Sequence, residues 1–127
     1  MGFFPYGLTD QHFLRRGRLG RLVAALEETR LPRGYGVDES CAIHANLGTG
    51  VVEAIGKRGL LLVDISKAER EGAARRNIRL SLLNTGDTVD GRTGKAEVGK
   101  PRKAVATVPS APLDQAKLRN AAWKAHV

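Results

Sequence analysis

The sequence predicts an α/β fold, because one amphipathic helix and a series of short apolar strands are separated by glycine-containing turns. The chain has 127 residues, which suits one domain with a modest core. A hydrophobic fraction of 42% is ordinary for a globular protein. Every apolar run is shorter than the roughly 18 residues that a membrane-spanning helix needs, so no membrane segment is expected.

The first third of the chain predicts one strand and one helix. The stretch "GFFPYGL" is typical of a short strand or extended segment, interrupted by Pro5. Apolar residues then recur with the i, i+3, i+4, i+7 spacing of a helix face: Leu19, Leu22, Val23 and Leu26. The spacing predicts a helix over residues 13–29 that ends before Pro32. Gly34 and Gly36 indicate a turn after it.

The middle of the chain predicts four more strands. "SCAIHA", "GVVEAIG" and "GLLLVDI" are apolar runs of strand length, and "GKRG" forms the turn between the last two. Residues 67–76 are charged and predict a solvated loop or short helix. "NIRLSLLNTGDTVD" predicts a strand that leads into a Gly-Asp turn. Residues 92–112 lack periodicity and predict an extended or disordered arm, and "PLDQAKLRNAAWKAH" predicts a terminal helix.

The positive charge is concentrated near the end of the chain. Of the net charge of +8, residues 92–127 contribute +6, from eight basic and two acidic residues. This distribution predicts an anionic partner for the tail. One alternative is therefore a non-enzymatic chain whose tail binds nucleic acid or another anionic partner, and another is a scaffold protein. The single cysteine, Cys41, excludes an internal disulfide and is interpreted as a small core thiol. With no signal peptide expected, it favours a cytoplasmic protein.

Three acidic residues are candidates to orient a histidine near the start of the chain. His12 follows Asp10 by two residues, and Asp38 and Glu39 stand in "GVDES", just before a predicted strand. An imidazole works as a general base when another group orients it. Position alone leaves the choice among the three acids open. The alternative is that His12 caps a helix and the acids are solvated.

Four arginines follow His12 in the stretch "RRGRLGR". Arg18 and Arg21 are three residues apart, and Arg16 would lie one helical turn below the histidine. Like charges at this spacing repel by a few tenths of a kcal/mol per pair, a cost that a bound anion would offset. Arginine binds carboxylates with two parallel hydrogen bonds. The cluster indicates a site for an acidic substrate, or alternatively a solvated basic face. Arg15 is interpreted as a solvated surface charge.

These stretches resemble the second half of the cyanophycinases, serine-type peptidases that cut cyanophycin into β-Asp-Arg dipeptides. The similar pieces are "GFFPYGLTDQHF", "RRGRLGRL", "GVDESCAI" and, further on, "NIRLSLLNTGDTVD". The resemblance covers about residues 2–95. It implies that residues 1–95 are the C-terminal half of a hydrolase domain. Residues 96–127, predicted as a basic extended arm and terminal helix, lie outside the resemblance.

The resemblance also implies roles for individual residues. His12 matches the family's catalytic base, and Glu39 matches the carboxylate that orients it. The residues that match the walls of the substrate pocket are Asp10, Gln11, Arg16, Arg18 and Arg21. The implied fold is α/β, similar to the aspartyl dipeptidase and class I amidotransferase-like folds. No cofactor is implied, and the three histidines lack the spacing of metal ligands.

The nucleophile is where the sequence departs from the family pattern. The family's serine sits in a G-x-S-A-G type turn ahead of "DQHF", and no serine of this chain lies in a G-x-S-x-G pattern. We therefore expect a chain that is inactive alone, the smaller subunit of a split enzyme. An N-terminal-half chain would supply the serine in a hetero-oligomer, such as a dimer of heterodimers, that acts on an aspartate- and arginine-containing peptide. The alternatives are one product of a cleaved precursor and a binding module that kept the pocket.

Overall fold

The computed structural model of the chain describes residues 4–99. That range contains one helix, α1 (Leu19–Thr29), and ten strands. The strands are β1 (Leu8–Gln11), β2 (Arg33–Val37), β3 (Cys41–Ala45), β4 (Val51–Gly56), β5 (Leu60–Asp64), β6 (Glu69–Glu71), β7 (Ala74–Arg76), β8 (Arg79–Leu83), β9 (Thr88–Asp90) and β10 (Ala96–Glu97). The predicted terminal helix and most of the predicted arm lie outside the described residues.

The strands form two four-stranded sheets and a separate hairpin. The first sheet has the order β1-β2-β5-β8, in which β1 and β2 are parallel and the other pairs antiparallel. The second sheet has the order β10-β9-β4-β3 and is antiparallel throughout. The described residues are therefore mostly strands with one helix, arranged around a mixed sheet. Among these residues, no helix combines the length and apolar character needed to cross a membrane.

Strand β5 lies at the centre of the core, and all five of its residues are buried. Leu60 and Leu62 belong to an apolar cluster that also takes in Val52 and Val89 of the second sheet. Leu61 and Val63 belong to a second cluster, whose other members come mainly from α1: Phe13, Leu22, Val23 and Leu26. The uninterrupted run "LLLVD" thus reflects a strand covered on both faces. Each fully buried leucine contributes about 1.5–3 kcal/mol of transfer free energy.

Strand β2 occupies a segment for which the sequence predicted a turn, and that prediction was wrong. The strand pairs with β1 on one side and β5 on the other. Its two glycines are required by packing, because a Cβ at Gly34 would meet the Leu22 side chain and one at Gly36 would overlap the Phe13 ring. Glycine in this strand therefore permits close approach of the α1 layer.

A larger side chain at this contact is expected to destabilise the fold. We expect Gly36→Val to lower the free energy of unfolding by about 2–3 kcal/mol, because the added atoms must displace a buried Phe13 ring. Urea unfolding of the purified chain measures this effect. The matched control is Gly20→Ala in α1, where an added Cβ meets no atom within 4 Å; it should be neutral or stabilising. An unchanged midpoint for Gly36→Val would contradict the packing assignment.

The helix is shorter than predicted at its beginning and ends where predicted. It begins at Leu19 rather than residue 13, because Gly17 adopts a left-handed φ of +59° and the preceding residues form turns. Phe13 lies in the core, 1% exposed, instead of on a helix face. The end at Thr29 is confirmed: Arg30 has a left-handed φ of +57°, and the N–H of Leu31 donates to the Leu26 carbonyl.

Two polar segments form strands that the sequence did not predict. Residues 67–76, predicted as a loop or short helix, contain the hairpin β6–β7, whose turn includes Gly72 at a φ of +59°. Five of its six strand residues are exposed, and the sixth, Arg75, is a partly buried cation, so the hairpin has no apolar alternation to reveal it. Ala96–Glu97, placed in the arm, pairs with β9.

Asp64 at the end of β5 is the centre of a buried ion-pair group. It is 3% exposed, and one carboxylate oxygen lies 3.3 Å from Arg33 Nε and 2.9 Å from Arg79 Nη2. The other accepts the Ser66 N–H at 2.8 Å. Arg33 also donates to two carbonyl oxygens that follow β9, so the group links the two sheets. Burial disfavours the ionised carboxyl, but the hydrogen bonds and both guanidinium charges outweigh it and lower the pKa of Asp64.

Candidate active site

The parallel pairing of β1 and β2 brings His12 next to the Asp38–Glu39 pair. Gln11, the last residue of β1, lies opposite Val37, the last residue of β2. Because parallel strands end at the same edge of a sheet, the residues that follow both strands meet there. His12 directly follows β1, and Asp38 and Glu39 directly follow β2. The pairing of β1 with β2 therefore creates the site, because it brings together His12 and Asp38, which are 26 positions apart in the sequence.

Of the three acids that could orient His12, the structure places Glu39 next to it. The Nδ1 atom of His12 lies 3.5 Å from Oε1 of Glu39, and both side chains are about half exposed. Asp38 is engaged elsewhere, because its Oδ1 accepts the Leu14 N–H at 2.9 Å. Asp10 faces the arginines of the helix layer. His12 itself has a left-handed φ of +54°, a backbone conformation that is uncommon for non-glycine residues and is concentrated at functional sites.

Arg15 contacts Glu39, a feature that sequence reasoning missed. Its Nη1 atom lies 3.0 Å from Oε1 and 2.9 Å from Oε2 of the carboxylate, although the arginine side chain is 69% exposed. The sequence alone predicts only a solvated surface charge at Arg15. The position of Arg15, three residues after His12, is the sequence signal for this contact. The contact itself depends on the turn over residues 13–18, which directs the side chain back toward Glu39. Glu39 thus interacts with both the imidazole and a guanidinium.

Asp10, Arg18 and Arg21 form a second charged group. Asp10 is 9% exposed. Its Oδ1 lies 3.3 Å from Arg18 Nη1, and its Oδ2 lies 3.8 Å from Arg21 Nε. Arg18 also donates to the Gln11 carbonyl at 3.0 Å, so it links the strand to the start of the helix. The group carries one net positive charge, most of it exposed on Arg21, whose side chain is 68% exposed.

A small cavity lies beside the histidine. Its volume is about 190 Å³, and it is lined by Gln11, His12, Val37, Asp38, Glu39 and Cys41. Ligand pockets usually have about 300–1,000 Å³, so the described residues form one wall of a site rather than a closed pocket. Cys41, interpreted from sequence as a core thiol, is only partly buried, and its Sγ accepts the Arg58 N–H at 3.3 Å. Arg16 is exposed and makes no side-chain hydrogen bond or ion pair with residues 4–99.

The arrangement supplies a histidine, a carboxylate and the free thiol of Cys41, but the described residues place no serine at the cavity. Ser40, Ser66 and Ser81 are the serines in the described range, and none of them lines the cavity that contains His12. In the same range, no group of three or more His, Cys, Asp or Glu side chains is placed to hold a metal ion. The geometry therefore suits proton transfer to and from a group brought in from elsewhere.

Comparison with known proteins relates this chain to a set of hydrolytic enzymes by sequence. It is 30% identical to the cyanophycinase of Geminocystis herdmanii in an alignment that covers 78% of this chain and 39% of the relative. It is 31% identical to the cyanophycinase of Trichormus variabilis in an alignment that covers 68% of this chain and 32% of that protein. The chain is cyanophycinase-like in sequence. The match to the cyanophycinase of Synechococcus elongatus is of the same kind, 31% over 105 residues.

The cyanophycinase likeness covers most of this chain but a minor part of each relative. The chain spans about a third of the length of these curated relatives, between 32% and 39%. No protein-family model matches the chain.

Proposed function

We propose that this chain provides the base and one wall of the substrate pocket in a cyanophycinase-like serine hydrolase. The nucleophilic serine would come from an N-terminal-half chain, and the assembly would hydrolyse an aspartyl or β-aspartyl-arginine type amide. The observation that carries the proposal is the contact between His12 and Glu39 at the shared end of two parallel strands. The sequence likeness to cyanophycinases supports the class of enzyme.

In this proposal, the imidazole of His12 moves the proton during acyl transfer. Nδ1 faces Glu39, so Nε2 is the nitrogen left to accept a proton from the serine hydroxyl. The serine oxygen then attacks the amide carbonyl, and His12 donates the proton to the leaving amine. A water molecule attacks the acyl-enzyme by the same route in the second half of the reaction. Glu39 holds the tautomer and stabilises the imidazolium ion while it exists.

The open edge of β1 supports a partner that extends the first sheet. Among the described residues, β1 pairs only with β2, which leaves the backbone groups on its outer side available for another strand. A parallel strand added there would end at the same edge as β1. A serine directly after that strand would lie near His12. This completion would give the α/β, class I amidotransferase-like sheet of the proposed enzyme, with residues 1–95 as its C-terminal half.

The arginines and polar residues around His12 would bind an acidic substrate. Arg16 and Arg21 have the exposed guanidinium groups that a carboxylate could reach. Arg18 is less exposed, at 21%, and would act mainly by fixing Asp10 and the carbonyl of Gln11. In this proposal the Gln11 side chain forms part of the pocket wall, and Asp10 would interact with a cationic group of the substrate.

Native mass spectrometry of the chain isolated untagged from its own host tests this proposal. We expect a stoichiometric second chain that carries a glycine-flanked serine, and we expect the complex to release β-Asp-Arg from cyanophycin. A cleaved precursor would appear as two chains encoded by one gene. A lone, stably folded oligomer without hydrolytic activity would contradict the proposal and favour a binding or scaffold role.

A further inference from the structure

A second, larger depression adjoins the wall that contains His12. This groove has a volume of about 670 Å³ and is lined by Leu14, Arg15, Asp38 and Arg58. Asp38 also lines the 190 Å³ cavity beside His12, so the two depressions share a wall. Arg15 of the groove binds Glu39, which lines that cavity. A molecule bound at His12 could therefore extend into the groove.

The arginine on the far wall of the groove is presented by a firmly attached turn. Arg58 lies between β4 and β5, flanked by Gly56 and Gly59, whose φ values are +126° and +94°. The turn is fixed to the segment that follows Glu39: the Lys57 N–H donates to the Ser40 carbonyl at 3.1 Å, and the Arg58 N–H donates to the Cys41 thiol sulfur at 3.3 Å. A side chain at Gly56 would collide with the Ser40 carbonyl. The turn is thus built to lie against this segment.

Two arginines line the groove, and only the guanidinium of Arg58 has no hydrogen-bond or ion-pair partner among residues 4–99. Arg15 is occupied by both oxygens of Glu39, and one oxygen of Asp38 is occupied by the Leu14 N–H. The Arg58 side chain is exposed and makes no hydrogen bond or ion pair with any residue from 4 to 99. An arginine held in a groove beside a catalytic pair, with its two-donor fork free, suits a carboxylate.

We propose that this groove is a carboxylate-binding subsite, in which Arg58 binds an acidic group of the substrate next to the bond attacked at His12. The inference rests on the proposed hydrolase function and adds a subsite to the Arg16–Arg21 cluster. Leu14, 49% exposed, gives the groove an apolar surface against which the methylene groups of an aspartyl side chain would pack. The substrate would thus be bound by guanidinium groups in two places, which favours a peptide with repeated carboxylates.

Binding of a small dicarboxylate to the full chain tests the subsite without requiring catalysis. The probe is N-acetyl-L-aspartate, added to the ¹⁵N-labelled chain while the Arg58 Nε–H resonance is followed by NMR. We expect a saturable shift of that resonance, and an affinity at least about tenfold lower in Arg58→Gln, since the substitution removes the charge-assisted hydrogen bonds between the guanidinium and the carboxylate. The matched control is Arg70→Gln in β6, because Arg70 does not line this groove.

Several results would overturn the subsite. These are the absence of binding up to tens of millimolar probe, shifts confined to Arg16 and Arg21, or equal affinity in wild type and Arg58→Gln. The subsite and the proposed hydrolase function can fail independently of each other. Binding at Arg58 in a chain whose native complex has no hydrolytic activity would uphold the groove and contradict the enzyme. Hydrolysis that requires His12 but has the same KM in Arg58→Gln would do the reverse.

Discussion

In the proposed complex, replacing His12 by alanine should lower kcat for cyanophycin hydrolysis by at least about 10⁴-fold, while assembly is unaffected. The loss is large because a serine nucleophile without its base keeps only the catalysis provided by binding and by the oxyanion hole. Assembly should persist because the His12 side chain is 49% exposed and lies outside both apolar clusters. The measurements are β-Asp-Arg release and native mass spectrometry on the same preparation.

The second sheet offers a matched control for this substitution. His44 lies on β3 and faces Glu53 of β4, with Nδ1 and Oε2 3.7 Å apart and the histidine side chain 66% exposed. It is therefore a second exposed His–Glu pair, and neither of its residues lines the cavity beside His12. His44→Ala should leave kcat unchanged. If His12→Ala kept wild-type turnover, or if both variants lost activity equally, the assignment of His12 as the base would be wrong.

Replacing Asp64 by alanine should lower the free energy of unfolding by about 3 kcal/mol. The carboxylate is 3% exposed, and its removal leaves Arg33, whose side chain is 11% exposed, without a buried counter-charge. Breaking a buried ion pair from one side costs about 3–5 kcal/mol, and the lower end applies because the Arg79 side chain is 59% exposed and can be rehydrated. Urea unfolding at neutral pH measures the difference. The control is Glu71→Ala, an exposed partner of Arg76, which should cost less than about 1 kcal/mol.

The effect of Asp64 should also depend on pH in a defined direction. Since folding lowers the pKa of this carboxyl, its stabilising contribution is complete above the unfolded value of about 3.9 and is lost as the pH falls through the folded value. The difference in unfolding free energy between wild type and Asp64→Ala should therefore shrink in acid. A difference that stayed constant from pH 7 to pH 2, or that grew in acid, would contradict the role of the ionised carboxylate.

Much of the fold follows from local sequence signals, whereas the exceptions depend on tertiary contacts. Strands β3, β4, β5 and β8 were predicted from apolar runs of the right length between turns, and the end of α1 from Pro32. Strand β2 was not predicted, because two glycines so close together are typical of a turn. In the structure, these glycines leave room for the side chains of Phe13 and Leu22. The start of α1 was misplaced because nothing in the helical spacing reveals the left-handed conformation of Gly17.

The site was predictable in its residue types but not in its contacts. The spacing of residues left three acids open as partners of His12, and resemblance to a family favoured Glu39. The structure places Glu39 beside His12 through the pairing of β1 with β2, a long-range register that periodicity does not encode. For the same reason the Arg15–Glu39 contact and the groove at Arg58 could not be read from sequence, since each joins segments far apart in the chain. The catalytic and binding roles of these residues stay predictions.

In the proposed enzyme, His12 and Glu39 act on a serine that lies outside residues 1–127. Covalent labelling of the native complex with a serine-reactive fluorophosphonate, followed by mass spectrometric identification of the modified residue, locates that serine. We expect one modified serine on the partner chain, in a glycine-flanked sequence, and little labelling when His12 is replaced by alanine. Labelling of Ser40, Ser66, Ser81 or Ser110, or partner labelling that is independent of His12, would contradict it.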